Sequence, residues 1–256
     1  MSTRLWDRAA LVPAGDDARR PEIVSLDAEQ PSLDELFTFM RDAELRWSTL
    51  RMKIEERTFG SRGEQLVTMD VAARHPRHAR VMTIDGEGLG APSELWLSDG
   101  ETIWTYASAH RLGTKRPVRN RVRGLDRGFP PAARVYEPVT SLPMETLPEL
   151  FIHPAGYCQN VLSTGDCAIV GTERLIGREA ILVACDHPRT VERVADRPDF
   201  AIEIAVDRLD GVILRLVETI GGDVTRLAEV VAYQPDVTLP ASIFDFEFPE
   251  GSTLLY

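Results

Sequence analysis

Residues 200–249 read FAIEIAVDRLDGVILRLVETIGGDVTRLAEVVAYQPDVTLPASIFDFEFP, and the fold turns on how this stretch is read. Ile202, Ile204 and Val206 alternate with Glu203 and Asp207. A period of two sends alternate side chains to opposite faces, the signature of a strand with one wet face. Asp210-Gly211 and Gly221-Gly222-Asp223 supply turns between three such strands. Phe244, Phe246 and Phe248 alternate with Asp245 and Glu247 before Pro249, so the tail reads as a ribbon closing the sheet. The rest of the chain then has to supply the other half of that sheet and whatever covers it.

Upstream, Ser32-Leu-Asp-Glu35 is a capping box, in which a hydroxyl and a carboxylate each satisfy a free N–H at a helix start. Leu33, Leu36, Phe37, Met40, Ala43 and Trp47 follow at helical spacing, predicting an amphipathic helix over 33–46 with Asp34, Arg41, Asp42 and Arg46 outward. The period then changes to two. Leu50, Met52 and Ile54 alternate with Arg51, Lys53 and Glu55, and after Gly60-Ser-Arg-Gly63 come Val67, Met69 and Val71. A third strand is expected over 79–85, and Asp99-Gly100 predicts a type I′ hairpin between 94–98 and 101–106. Strands resume over 168–173 and 180–185, after a short helix within 142–152.

Between these halves the pattern lapses. Arg111, Lys115, Arg116, Arg119, Arg121, Arg123, Arg127 and Arg134 crowd a stretch whose sole acid is Asp126, and several prolines follow. A long irregular excursion inside a compact domain is functional or mobile. Residues 1–30, charged and poor in large apolar groups, read as a flexible arm, leaving 31–256 as a single domain.

Composition narrows the classes. The 256 residues are 43% hydrophobic and 27% charged, ordinary for a globular chain, and the net charge of −11 argues against a nucleic-acid surface. No apolar run reaches the roughly 18–20 residues that span a bilayer. The N-terminal residues carry no apolar signal core, so a cytoplasmic location is expected. Three cysteines do not make a secreted disulfide framework; Cys158 and Cys167, flanking a short loop, are the pair able to bridge in an oxidising compartment.

A helix entering an antiparallel meander, the Asp99–Tyr106 hairpin with Trp104 and Tyr106, a long excursion, and an ending of Phe-x-Phe-x-Phe-Pro-x-Gly over 244–251 follow one another in order. This arrangement over residues 33–251 resembles the lipoprotein-carrier superfamily, which comprises periplasmic lipoprotein chaperones and the related sensor domains that restrain anti-sigma factors. The resemblance implies an α+β fold: a curved antiparallel half-barrel of about eleven strands, with an N-terminal helix and short helices covering its concave face. It also implies an apolar cavity for acyl chains or other lipophilic groups. Family members are typically exported, whereas a cytoplasmic location is the expectation for this chain.

The residues offering such a lining are Leu36, Phe37, Met40, Met52, Ile54, Met69, Met82, Trp96, Trp104, Tyr106 and Phe151. Methionine adapts to variable apolar guests, yet a helix-covered sheet needs a core of the same composition. Arg116, Arg119, Arg121 and Arg123 are candidates for an anionic headgroup or an acidic protein partner, or they are a solvated loop. His75-Pro-Arg-His78 lacks the three or four ligands of a zinc site, and no metal or cofactor is expected. Cys185-Asp-His187 places a thiol and an imidazole on one side of a strand, a weak signal for a nucleophile. Non-catalytic binding of an acyl or polyketide-like ligand is the leading expectation. Two alternatives stand beside it: an enzyme orienting a lipophilic intermediate for cyclisation or isomerisation, and a sensor module holding a protein partner.

Overall fold

A computed structural model of the chain describes residues 25–26, 30–61, 63–88, 90–118, 139–188 and 198–255. Most of the N-terminal arm and of the basic excursion, including Arg119, Arg121 and Arg123, lie outside them.

Among the described residues, twelve strands form one open sheet. They are β1 (Thr49–Gly60), β2 (Gly63–Arg74), β3 (His78–Asp85), β4 (Ser93–Asp99), β5 (Thr102–Ala107), β6 (Leu112–Pro117), β7 (Asp166–Leu175), β8 (Arg178–Asp186), β9 (Phe200–Asp207), β10 (Ile213–Ile220), β11 (Asp223–Pro235) and β12 (Thr253–Leu255). Their spatial order is β12-β6-β5-β4-β3-β2-β1-β11-β10-β9-β8-β7. Every pairing is antiparallel except β12 on β6. The two halves of the chain therefore join where β11 lies against β1, and the 200–235 stretch contributes the strands on one side of that seam. This is the expected α+β half-barrel class: a sheet that never closes, with a few short helices laid on one face.

Those helices are α1 (Leu33–Arg41), α2 (Leu147–Ile152) and α3 (Ala155–Asn160). The capping box forms as predicted: the Ser32 hydroxyl accepts the Glu35 N–H, and the Glu35 carboxylate accepts the Ser32 N–H at 2.8 Å. The helix is shorter than predicted, ending at Arg41 and tightening into a 3-10 turn over Ala43–Arg46. Asp42 and Arg46 are not outward. Asp42 is fully buried against the Arg41 guanidinium, and Arg46 donates to the Phe39 and Asp210 carbonyls. That contact ties α1 to the Asp210-Gly211 turn, where Arg178 forks onto Asp207 at 2.7 and 2.8 Å and reaches Asp210. Gly211 has φ +76 and lies against the Phe39 ring, so both its backbone and its lack of a side chain are needed there.

The β4–β5 turn differs from the type I′ expectation. Gly100 has φ +94, but Asp99 is not among the residues with positive φ. The Asp99 carboxylate instead accepts the Glu101 and Thr102 N–H groups at 2.8 and 2.7 Å, so the side chain closes the turn.

The tail is a second correction. The Phe244–Phe248 segment is not a strand of the sheet. It leaves a 3-10 turn over Ala241–Phe244 and packs against Tyr106 and Gly113 on the face away from the helices. Phe248 packs edge to face with both Tyr106 and Phe246 there, Arg74 caps the Phe244 ring, and the Phe248 ring fills the space above Gly113. Alternation describes where side chains go; it does not say which backbone groups find a ladder. Strand β6, hidden from the sequence reading inside the basic stretch, is the edge that β12 joins.

Candidate ligand groove

The strand registers define rows of side chains crossing the sheet on its helix-covered face. One runs Leu50–Ala73–Ala79–Ser98–Ile103–Arg116, the next Met52–Val71–Val81–Trp96–Thr105–Thr114–Leu255, and the third Ile54–Met69–Thr83–Glu94–Ala107–Leu112–Thr253. At the β1–β3 end the rows are aliphatic and packed solid. Leu36, Met40, Met52, Ile54, Met69 and Phe151 are buried in a single cluster beneath α1 and α2, with Phe37 and Trp96 packed at its margin. Six of the eleven expected lining residues thus form core, and Phe37 and Trp96 stand at its edge. Burying each such large side chain contributes about 1.5–3 kcal/mol, which is what holds the helix layer on the sheet.

The remaining three belong elsewhere. Met82, Trp104 and Tyr106 point to the opposite face, in the rows Asp70–Met82–Leu95–Tyr106–Gly113 and Ala72–Arg80–Leu97–Trp104–Lys115. There Tyr106 meets the phenylalanine tail, and the Lys115 ammonium sits over the Trp104 ring. The sequence shows alternation within each strand but not the phase between strands, so all three were assigned to the wrong side.

Towards β6 the helix-side rows change character. A groove of about 220 Å³ opens over β4–β6 and β12, walled by Glu94, Thr105, Ala107, Leu112, Thr114 and Leu255, with Leu95, Tyr106 and Gly113 forming its floor. The Thr105 and Thr114 hydroxyls bond to each other at 2.7 Å between neighbouring strands of the groove wall. Trp96 and Ile103, both half-buried, flank the groove on the core side, and exposed Arg116 follows Ile103 in the adjoining row. Of the four basic residues expected at an anionic group, Arg116 therefore stands one row from the groove; the other three are not described. Small and polar walls carry no hydrophobic signature, so this groove was illegible in the sequence.

The ionisable pairs singled out by sequence do not assemble. Strand β8 ends at Asp186, and His187, at φ +53 beyond the strand, is exposed while Cys185 is buried. His75 and His78 also diverge. The His75 ring stacks on Trp47 at 4.4 Å while Nε2 meets the Glu44 carbonyl, and His78 sits edge-on to Phe244. Among the described residues no group of three or more His, Cys, Asp or Glu is arranged to hold a metal ion. No helix among them is long and apolar enough to cross a membrane.

A buried polar cluster that the sequence did not reveal lies under the helix layer. Glu44, 3% exposed, accepts the Val139 and Thr140 N–H groups and the Thr140 hydroxyl, and His153 Nε2 lies 2.9 Å from its carboxylate. Burial alone would raise the Glu44 pKa; His153, His75 and the Val139 N–H outweigh it and hold the carboxyl down at about 2. Glu44 thus fixes the backbone at the point where the basic excursion rejoins the domain.

No family model matches the chain, and no curated protein matches it in sequence. Solved structures do resemble it. An uncharacterized conserved protein from Thermus thermophilus is 12% identical, covers 88% of this chain and 99% of its own, and aligns with a TM-score of 0.49. MucB of Pseudomonas aeruginosa, solved in a complex with MucA, is 16% identical over 83% of this chain at a TM-score of 0.48; the match spans 60% of that protein's length. A putative outer membrane lipoprotein-sorting domain from Vibrio parahaemolyticus is 9% identical, covers 82% of this chain and 95% of its own, and has a TM-score of 0.32. Likeness this distant carries no argument about what this chain binds.

Proposed function

We propose that this chain is a non-catalytic binding protein that seats a lipophilic chain, acyl or polyketide-like, in the β4–β6 groove. One observation carries the reading: the helix-side face continues from a packed core into a groove, with Ala107, Leu112 and Leu255 as its apolar walls, that no described helix covers. A single site of about 220 Å³ is smaller than the roughly 300–1,000 Å³ of full small-molecule pockets, so it takes a short chain or one end of a longer one. Arg116, next to Ile103, is positioned to meet an anionic head. The helix-covered residues Leu36, Met40 and Met52 lie in the packed core farther along the same face and do not touch the ligand.

A fatty-acid length series tests the reading. Each methylene that enters the groove contributes about 0.8 kcal/mol, so affinity rises about fourfold per carbon until the groove is full. Uptake of a single acid per chain, rising with length in native mass spectra, supports the proposal; no uptake at any length contradicts it.

A further inference from the structure

We propose that Cys167 and Cys185 form a thiol pair that a disulfide-class oxidant converts to an intramolecular disulfide, with Cys158 left as a free core thiol. The three cysteines sit near one another, but only two are opposed. Cys167 of β7 and Cys185 of β8 are direct register partners on the helix-side face. Opposed antiparallel residues have Cα atoms about 4.5–5.5 Å apart, inside the roughly 4.4–6.8 Å that a disulfide requires, so bridging needs no rearrangement of the ladder. Both thiols already converge, donating to the Leu162 carbonyl at 3.0 and 3.4 Å. Cys158 is buried in α3 with its sulfur 3.7 Å from that of Met40, which binds it into the core.

Accessibility sets the order of events. Gly165 passes so close over Cys185 that a β-carbon there would meet Sγ at 2.6 Å, whereas Cys167 is half-exposed. The Cys167 thiolate attacks one sulfur of the oxidant and expels a thiolate, leaving a mixed disulfide. The Cys185 thiolate then attacks the Cys167 sulfur and expels the second. Two protein thiols lose two protons and two electrons, and the oxidant departs as two thiols. Burial, reinforced by Asp166 and Asp186, holds the Cys167 thiol above its ordinary pKa and raises the Cys185 thiol strongly, so both steps of the exchange are slow at neutral pH.

The test treats the full chain with oxidised glutathione at about pH 9, where more thiolate is present, then counts free thiols and glutathione adducts by mass spectrometry. Wild type and Cys158→Ser are both expected to lose two thiols and to retain no adduct. Cys185→Ser is expected to stop at one glutathione on residue 167. A bridge that includes Cys158, a persistent adduct on wild-type Cys167, or no thiol loss in wild type would overturn the assignment.

Discussion

The Glu44 carboxylate accepts the Val139 N–H at 2.9 Å, so a side chain from the helix layer grips the backbone where the basic excursion ends. The grip depends on charge. Because the folded carboxyl titrates at about 2, below its ordinary 4.5, its contribution is complete above pH 4.5 and is lost as pH falls towards 2. The full contribution is on the order of 3 kcal/mol. Urea unfolding at pH 7 and pH 3 checks this: wild type should lose much of that stability on acidification, and Glu44→Gln should lack this part of the pH dependence.

Gly113 and Phe248 are an obligatory fit. A β-carbon at 113 would meet the Phe248 ring at 2.2 Å. Gly113→Ala should push the ring out, cost about 1–3 kcal/mol, and speed amide exchange over residues 244–255. Unchanged exchange there would show that the tail is held by other contacts.

Met52 is core in this account. Met52→Ala should cost about 2–5 kcal/mol in unfolding free energy. It should leave fatty-acid affinity at temperatures well below unfolding within about twofold of wild type, since about 0.5 kcal/mol or less is expected from a residue that does not touch the ligand. A large affinity loss without a stability loss would return Met52 to the ligand lining.

Arg116 is exposed, so its contribution is modest. Arg116→Glu should weaken a fatty acid a few-fold relative to the alcohol of equal length, by roughly 0.2–1 kcal/mol, and the difference should shrink at high salt. Equal loss for acid and alcohol would remove the headgroup role.

How much was legible in the sequence differs from element to element. Ser32 and Glu35 announced the helix start because a cap is a local device. The hairpin of Leu50, Met52 and Ile54 with Val71 and Met69 forms as expected, Met52 opposite Val71 and Ile54 opposite Met69, because a hairpin fixes its own register. Met82 and Trp104 went to the unexpected face because phase between strands depends on turns whose geometry the residue types do not fix. Asp42 was read as outward from its polarity, yet it is buried beside Arg41 at the turn where α1 tightens. The groove escaped notice because Thr105, Ala107 and Thr114 are the residues of an ordinary wet strand. Its concavity comes from what does not cover them.

The most direct test of the central claim is Ala107→Trp. The new indole would occupy the groove between Glu94 and Leu112, and an aromatic residue is well tolerated in a strand. Native mass spectrometry with a saturating fatty acid should show one bound molecule on the wild type and none on the variant, with both giving the same far-UV circular dichroism. Equal uptake by a folded Ala107→Trp chain would contradict the groove as the ligand site.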